Sequence, residues 1–88
     1  MSYEVVFAAT ARRNLERIPP RIVEAIVAFV FGDLALTPKR VGKPLKRQLE
    51  GSYGARRGPY RIIYDIDDVA KRIEILRVDH RADVYRNR

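Results

Sequence analysis

The side chains with the most chemical capacity in this sequence are arginines, one histidine and a few tyrosines, and they fall into two clusters. Arg56, Arg57 and Arg61 gather around Gly58-Pro59, while Arg77, His80 and Arg81 lie near the C-terminal end, with Tyr85 shortly after. A guanidinium presents a planar fork that matches phosphate oxygens, and it keeps its charge at every physiological pH. Histidine has an ordinary pKa close to neutrality, so His80 is the natural proton carrier. These are the parts for cutting RNA without a metal. A ribose 2′-hydroxyl must lose its proton, the charged phosphorane must be held, and the leaving 5′-oxygen must gain a proton. In that scheme Arg61 and Arg81 hold the charge with help from Arg56 or Arg57, and Tyr85 positions a hydroxyl, donates a hydrogen bond or stacks on a base.

The composition agrees with an anionic target. The chain has 88 residues, a formal charge of +7 and a sequence pI near 10.2, which points to nucleic acid, the ribosome, an anionic surface or an acidic protein partner. With no cysteine there is neither a disulfide framework nor a thiolate metal site. No carboxylates or histidines recur at metal-ligand spacing, so neither metal nor cofactor is expected. The N-terminus lacks a basic stretch followed by a long apolar run, and the apolar stretch Ile22–Phe31 is broken by Glu24. A soluble cytoplasmic protein without a membrane segment is expected.

The elements that must position these groups can be read from the hydrophobic period. Tyr3–Phe7 is a first strand. Ala11, Leu15 and Ile18 then recur at helical spacing, with Thr10 as N-cap and Arg12, Arg13 and Arg17 on the solvated side. Pro19-Pro20 ends that helix and opens a second, whose stripe is Ile22, Val23, Ile26, Phe29 and Val30. It stops either at Gly32 or at Thr37-Pro38. The segment Pro38–Leu49 reads as a basic loop whose Lys43, Lys46 and Arg47 contact either RNA phosphate or an acidic partner. Next comes a hairpin of two strands joined at Gly58-Pro59. Tyr60, Ile62, Tyr64 and Ile66 take one face, with Arg61, Ile63 and Asp65 on the other. Asp67–Lys71 turns into a last strand, Arg72–Val78, which is apolar on both sides and hence internal to the sheet. Antiparallel pairing of these two strands brings Tyr60 and Arg61 beside Val78–Arg81 and makes the two clusters one site. The expected fold is α+β, β-α-α-β-β-β: one domain over residues 1–88, with a mainly antiparallel four-stranded sheet and a helical hairpin packed on one face. Plainer roles are open for several of these residues. Tyr60 and Tyr64 suit the core, and Arg56 and Arg57 can pair with Asp65 or Asp67 beside the turn.

Several runs together resemble the RelE/ParE superfamily of toxin–antitoxin toxins, closest to its RelE side. They are Lys43-Pro44-Leu45, Leu49-Glu50-Gly51, Arg56-Arg57-Gly58, Tyr60-Arg61-Ile62-Ile63-Tyr64, His80-Arg81 and Asp83-Val84-Tyr85. The resemblance implies a ribonuclease toxin that cuts translated mRNA in the ribosomal A site. It also implies an acidic RelB-like antitoxin that blocks the site, with operator DNA reached only through the antitoxin in autoregulation. It puts Arg61, Arg81 and Tyr85 on catalytic positions of the family, with His80 beside them. Lys43, Lys46, Arg47, Arg56, Arg57 and Arg77 are then RNA contacts. The sequence departs from the family at Ser52 and Gly54, where RelE proteins carry lysines, so the general base is left to His80 or to Lys43, Lys46 or Arg47. The competing implication is the ParE side, the same fold acting on DNA gyrase without cutting RNA.

Overall fold

The protein is described by a computed structural model covering residues 2–82. β1 (Glu4–Phe7) leads into α1 (Ala9–Glu16), α2 (Pro20–Phe29) and the short α3 (Pro38–Val41). The strands β2 (Lys43–Pro44), β3 (Tyr53–Arg57), β4 (Tyr60–Asp67) and β5 (Arg72–His80) come next, with a 3-10 turn at Arg47–Leu49 between β2 and β3. The class is the expected α+β. The sheet has five strands rather than four, in the order β1-β5-β4-β3-β2, because part of the expected basic loop pairs with β3 as an edge strand. After β1 the chain crosses one face as helices, enters the sheet at the far edge and meanders back. β5 therefore arrives beside β1 in the same direction, and this is the sheet's parallel pair.

The start of α1 differs from expectation, and α2 runs to the later of its two expected stops. α1 is preceded by the extended Ala8, without a side-chain cap. Thr10 is already inside the first turn, where its hydroxyl accepts from Arg13 at 3.3 Å. α2 starts on Pro20, where a missing N–H costs nothing. It does not end at Gly32: the helix widens into a π-turn over Val30–Leu34 and resumes to residue 36. That path buries Val30 and Leu34 completely, while Gly32 stands in open space and caps nothing.

The core lies between the helices and one sheet face. Ala11, Ile18, Ile26, Val30 and Leu34 pack there against Ile62, Tyr64, Ile73, Ile75 and Val78. Tyr60 and Tyr64 point inward, as strand alternation requires. On β5 the alternation breaks. Its register with β4 shifts between Ile63 (opposite Arg77) and Tyr64 (opposite Ile75), leaving Leu76 as an extra, bulged residue. The bulge lets Ile73, Ile75 and Val78 all reach the same core.

Tyr64 also fastens the edge strand. Its buried hydroxyl donates to the Pro38 carbonyl at 2.6 Å, and burial pushes its pKa up to about 12, with the neighbouring Tyr53 adding to the rise. Gly42, just before β2, must lack a side chain, since a Cβ there would collide with the Tyr64 hydroxyl and lie 2.9 Å from the Gly54 carbonyl. The β3–β4 turn is a two-residue loop in which Gly58 has φ 60 and Pro59 follows, the arrangement of a type II′ hairpin turn. At the opposite end of the sheet, Asp68 accepts from both Lys39 and Tyr3 at 2.7 Å, tying the β4–β5 turn to the start of the chain. The ammonium of Lys39, and after it the Tyr3 hydroxyl, hold the Asp68 carboxyl below its ordinary pKa.

Candidate functional site

One face of the sheet is taken by the helices, and the other carries the chemistry. Strand alternation and register together put Lys43 of β2, Gly54 and Arg56 of β3, Arg61, Ile63 and Asp65 of β4, and Arg77 and Asp79 of β5 on this open face. Across the strands at the hairpin end, Arg56 stands opposite Arg61, and Arg61 opposite Asp79. One step further in, Lys43 flanks Gly54 and Arg77 flanks Ile63.

Two arginines directly opposite each other repel, so this pairing costs stability and marks a place suited to an anion. The local countercharge is Asp79. Its Oδ2 lies 2.9 Å from Arg77 Nε, yet that N–H is not aligned with it and makes no hydrogen bond, so the pair is a charge contact only. Arg61 Nε is likewise buried without a hydrogen-bond partner. Buried donors are normally satisfied, and two unsatisfied guanidinium N–H groups on one face leave capacity for oxyanion acceptors.

Toward the middle of the sheet the face changes character. Ser52 donates to Asp65 at 2.5 Å, so its hydroxyl is already engaged. At Gly54, a Cβ would lie 3.1 Å from Leu45 Cδ2 and 3.7 Å from Ile63 Cδ1, so apolar side chains cover that position.

The expected antiparallel pairing of these strands is present, and its register sets Tyr60 opposite His80 and Arg61 opposite Asp79. It joins the two clusters along the strands but splits them across the sheet. His80 shares the helical side with Tyr60, ring centroids 5.1 Å apart and edge-on, while Arg61 faces the other way. The His80 Nδ1 accepts the Ala82 N–H at 3.1 Å, turning the chain away from β5. Arg56 and Arg57 separate for the same reason. Arg56 stays on the open face, whereas Arg57 lies on the helical side with its guanidinium 5.6 Å over the Phe29 ring. Neither arginine forms an ion pair with Asp65 or Asp67. Arg81 is exposed, and its backbone N–H donates to the Pro59 carbonyl at 2.8 Å, fixing it at the hairpin turn. Lys46 and Arg47 are exposed beside the 3-10 turn, Arg47 in the left-handed region at φ 62. Tyr85 lies outside the described residues. Among the described residues no group of histidines or carboxylates could hold a metal ion, and no helix is long and apolar enough to cross a membrane. Asp79 is the site residue that sequence reasoning missed. Simple alternation along β5 gives no signal for it, because only the bulge at Leu76 brings it opposite Arg61 and onto the same face.

Residues 5–85 match the family described as the ParE toxin of type II toxin–antitoxin system, parDE. The chain is 59% identical to Toxin RelG of Mycobacterium tuberculosis over 98% of its own length and 99% of that protein's. It is 50% identical to Toxin RelE of the same organism, covering 96% of this chain and 87% of that one. In three dimensions it resembles the crystal structure of the RelBE2 toxin–antitoxin complex of M. tuberculosis. The TM-score is 0.87 at 56% identity, with 91% of this chain and 99% of that chain covered. The chain belongs to the RelE/ParE family and is a toxin of a type II toxin–antitoxin system.

Proposed function

We propose that this toxin is a metal-independent endoribonuclease that cuts mRNA in the A site of the translating ribosome and so arrests growth. The observation that carries the reading is Arg61, set on an open face between Arg56 and Asp79 with a buried, unpartnered Nε. A gripping guanidinium with unused donors is suited to a phosphorane whose charge grows in the transition state. Arg81, held at the hairpin turn, and Tyr85, which the family resemblance puts on a catalytic position, complete the reacting end. Lys43, Arg56 and Arg77 line the path of the phosphate backbone, with Lys46 and Arg47 at its margin. Arg57, stacked on Phe29, acts by holding β3 to α2 rather than by contacting RNA. The toxin acts in the cytoplasm, where its mRNA and ribosome partners are. An acidic RelB-like antitoxin covers the basic surface, and operator DNA is reached through that antitoxin.

The ParE description of the matching family favours a second reading, inhibition of DNA gyrase without RNA cleavage. Primer extension on translated mRNA after induction, run beside a gyrase supercoiling assay, separates the two. Cuts phased to codons in the wild type, reduced about 10²–10³-fold in Arg61→Ala and Arg81→Ala, are the expected result. Intact mRNA with inhibited supercoiling overturns the ribonuclease reading.

A further inference from the structure

If the toxin cuts RNA, a proton acceptor is needed on the face that carries Arg61. His80 is on the opposite side of the sheet, packed on Tyr60. Asp65 shares the face but is engaged by Ser52 and separated from Arg61 by Ile63. Asp79 meets the requirement. It is directly opposite Arg61, which sets their Cβ atoms about 5 Å apart, and its side chain is 22% exposed, enough to be reached from solvent.

We propose that Asp79 is the general base of the cleavage reaction, a role that rests on the ribonuclease reading. Among the described residues, the charged side chains that the register sets beside it on this face are Arg61 from β4, Arg77 from its own strand, and Arg56 one strand beyond. β1 ends short of it, since Phe7 is opposite Ile75, and the helices pack on the other face. Three guanidiniums let a carboxylate sit beside a phosphodiester without net repulsion. In the reaction the Asp79 carboxylate takes the proton of the ribose 2′-hydroxyl, and the freed lone pair on O2′ forms the bond to phosphorus. The bond from phosphorus to O5′ breaks and leaves its electron pair on that oxygen, which takes a proton from water. The products are a 2′,3′-cyclic phosphate and a 5′-hydroxyl. The hydroxide left by the water removes the proton from Asp79 and restores the carboxylate.

The test is single-turnover cleavage of a short mRNA on purified ribosomes by the full-length toxin, with binding to the same programmed ribosomes measured in parallel. Asp79→Asn keeps the shape and removes the basicity. It is expected to slow cleavage by about 10²-fold or more while binding stays equal or tightens. Asp79→Glu keeps a carboxylate and is expected to retain most of the cleavage that Asp79→Asn loses. Thermal melts of each variant confirm an intact fold. Asp79→Asn cutting at the wild-type rate or faster overturns the proposal and makes Asp79 a counter-ion of Arg77. A wild-type protein that leaves the mRNA intact removes the ribonuclease reading itself, and this proposal with it.

Discussion

The Tyr64 hydroxyl ties the basic edge strand to the sheet, and Tyr64→Phe measures how strongly. The hydroxyl is buried and donates to Pro38, whose carbonyl otherwise keeps only a long 3.4 Å contact from the Gly42 N–H. Removing one neutral hydrogen bond and leaving its acceptor nearly alone costs about 1–2 kcal/mol at neutral pH. The same group supplies a second, pH-dependent signature. Its pKa is raised from 10.0 to about 12, chiefly by burial. Between those values the unfolded chain releases the tyrosine proton while the folded chain keeps it. The folded state then binds more protons, and stability falls as pH rises. The contribution is fully present below pH 10 and is lost as pH climbs through about 12. Two pKa units correspond to roughly 2–3 kcal/mol. Urea unfolding followed by far-UV circular dichroism, across this range, should show the wild type ahead of Tyr64→Phe at neutral pH and its advantage erased at high pH. Lysine and arginine titrate in both proteins and cancel in the difference. A difference that does not change with pH would refute the assignment of the raised pKa to this buried hydroxyl.

Gly42→Ala should cost about 3 kcal/mol, combining overpacking with loss of the Tyr64 hydrogen bond, and hydrogen exchange should show the Lys43–Gly54 pairing loosened. A variant as stable as wild type would mean that β2 relaxes around the new methyl. His80→Ala should lower stability by about 1 kcal/mol through the lost edge-on contact with Tyr60, and should slow cleavage far less than Asp79→Asn does. If it stops cleavage in a folded protein, His80 returns as the proton carrier.

The strands with simple alternation were legible in the chain. Tyr60, Ile62 and Tyr64 point inward and Arg61 outward because nothing interrupts β4. The Gly58-Pro59 turn was legible because glycine admits the positive φ its first position needs and proline fixes the φ of the next. β2 was not, since two residues ending in proline carry almost no strand signal. It exists because Gly42 lets the edge approach Tyr64 and β3 offers open pairing positions. The π-turn was hidden for a related reason: it is set by which residues of the helix end the core accepts, Val30 and Leu34 inward with Phe31, Gly32 and Asp33 left outside.

The site turned on a subtler point. Counting outward from the buried Ile73 and Ile75 by simple alternation puts Arg77 and Asp79 inward, with Val78 and His80 outward beside Arg61. The bulge at Leu76 inverts that parity, so Val78 and His80 turn inward and Arg77 and Asp79 turn out. No local propensity announces the bulge. It follows from packing, because the core needs Val78 as well as Ile73 and Ile75. One extra residue in β5 thus decides which proton acceptor shares a face with Arg61, and it selects the carboxylate of Asp79 over the imidazole of His80.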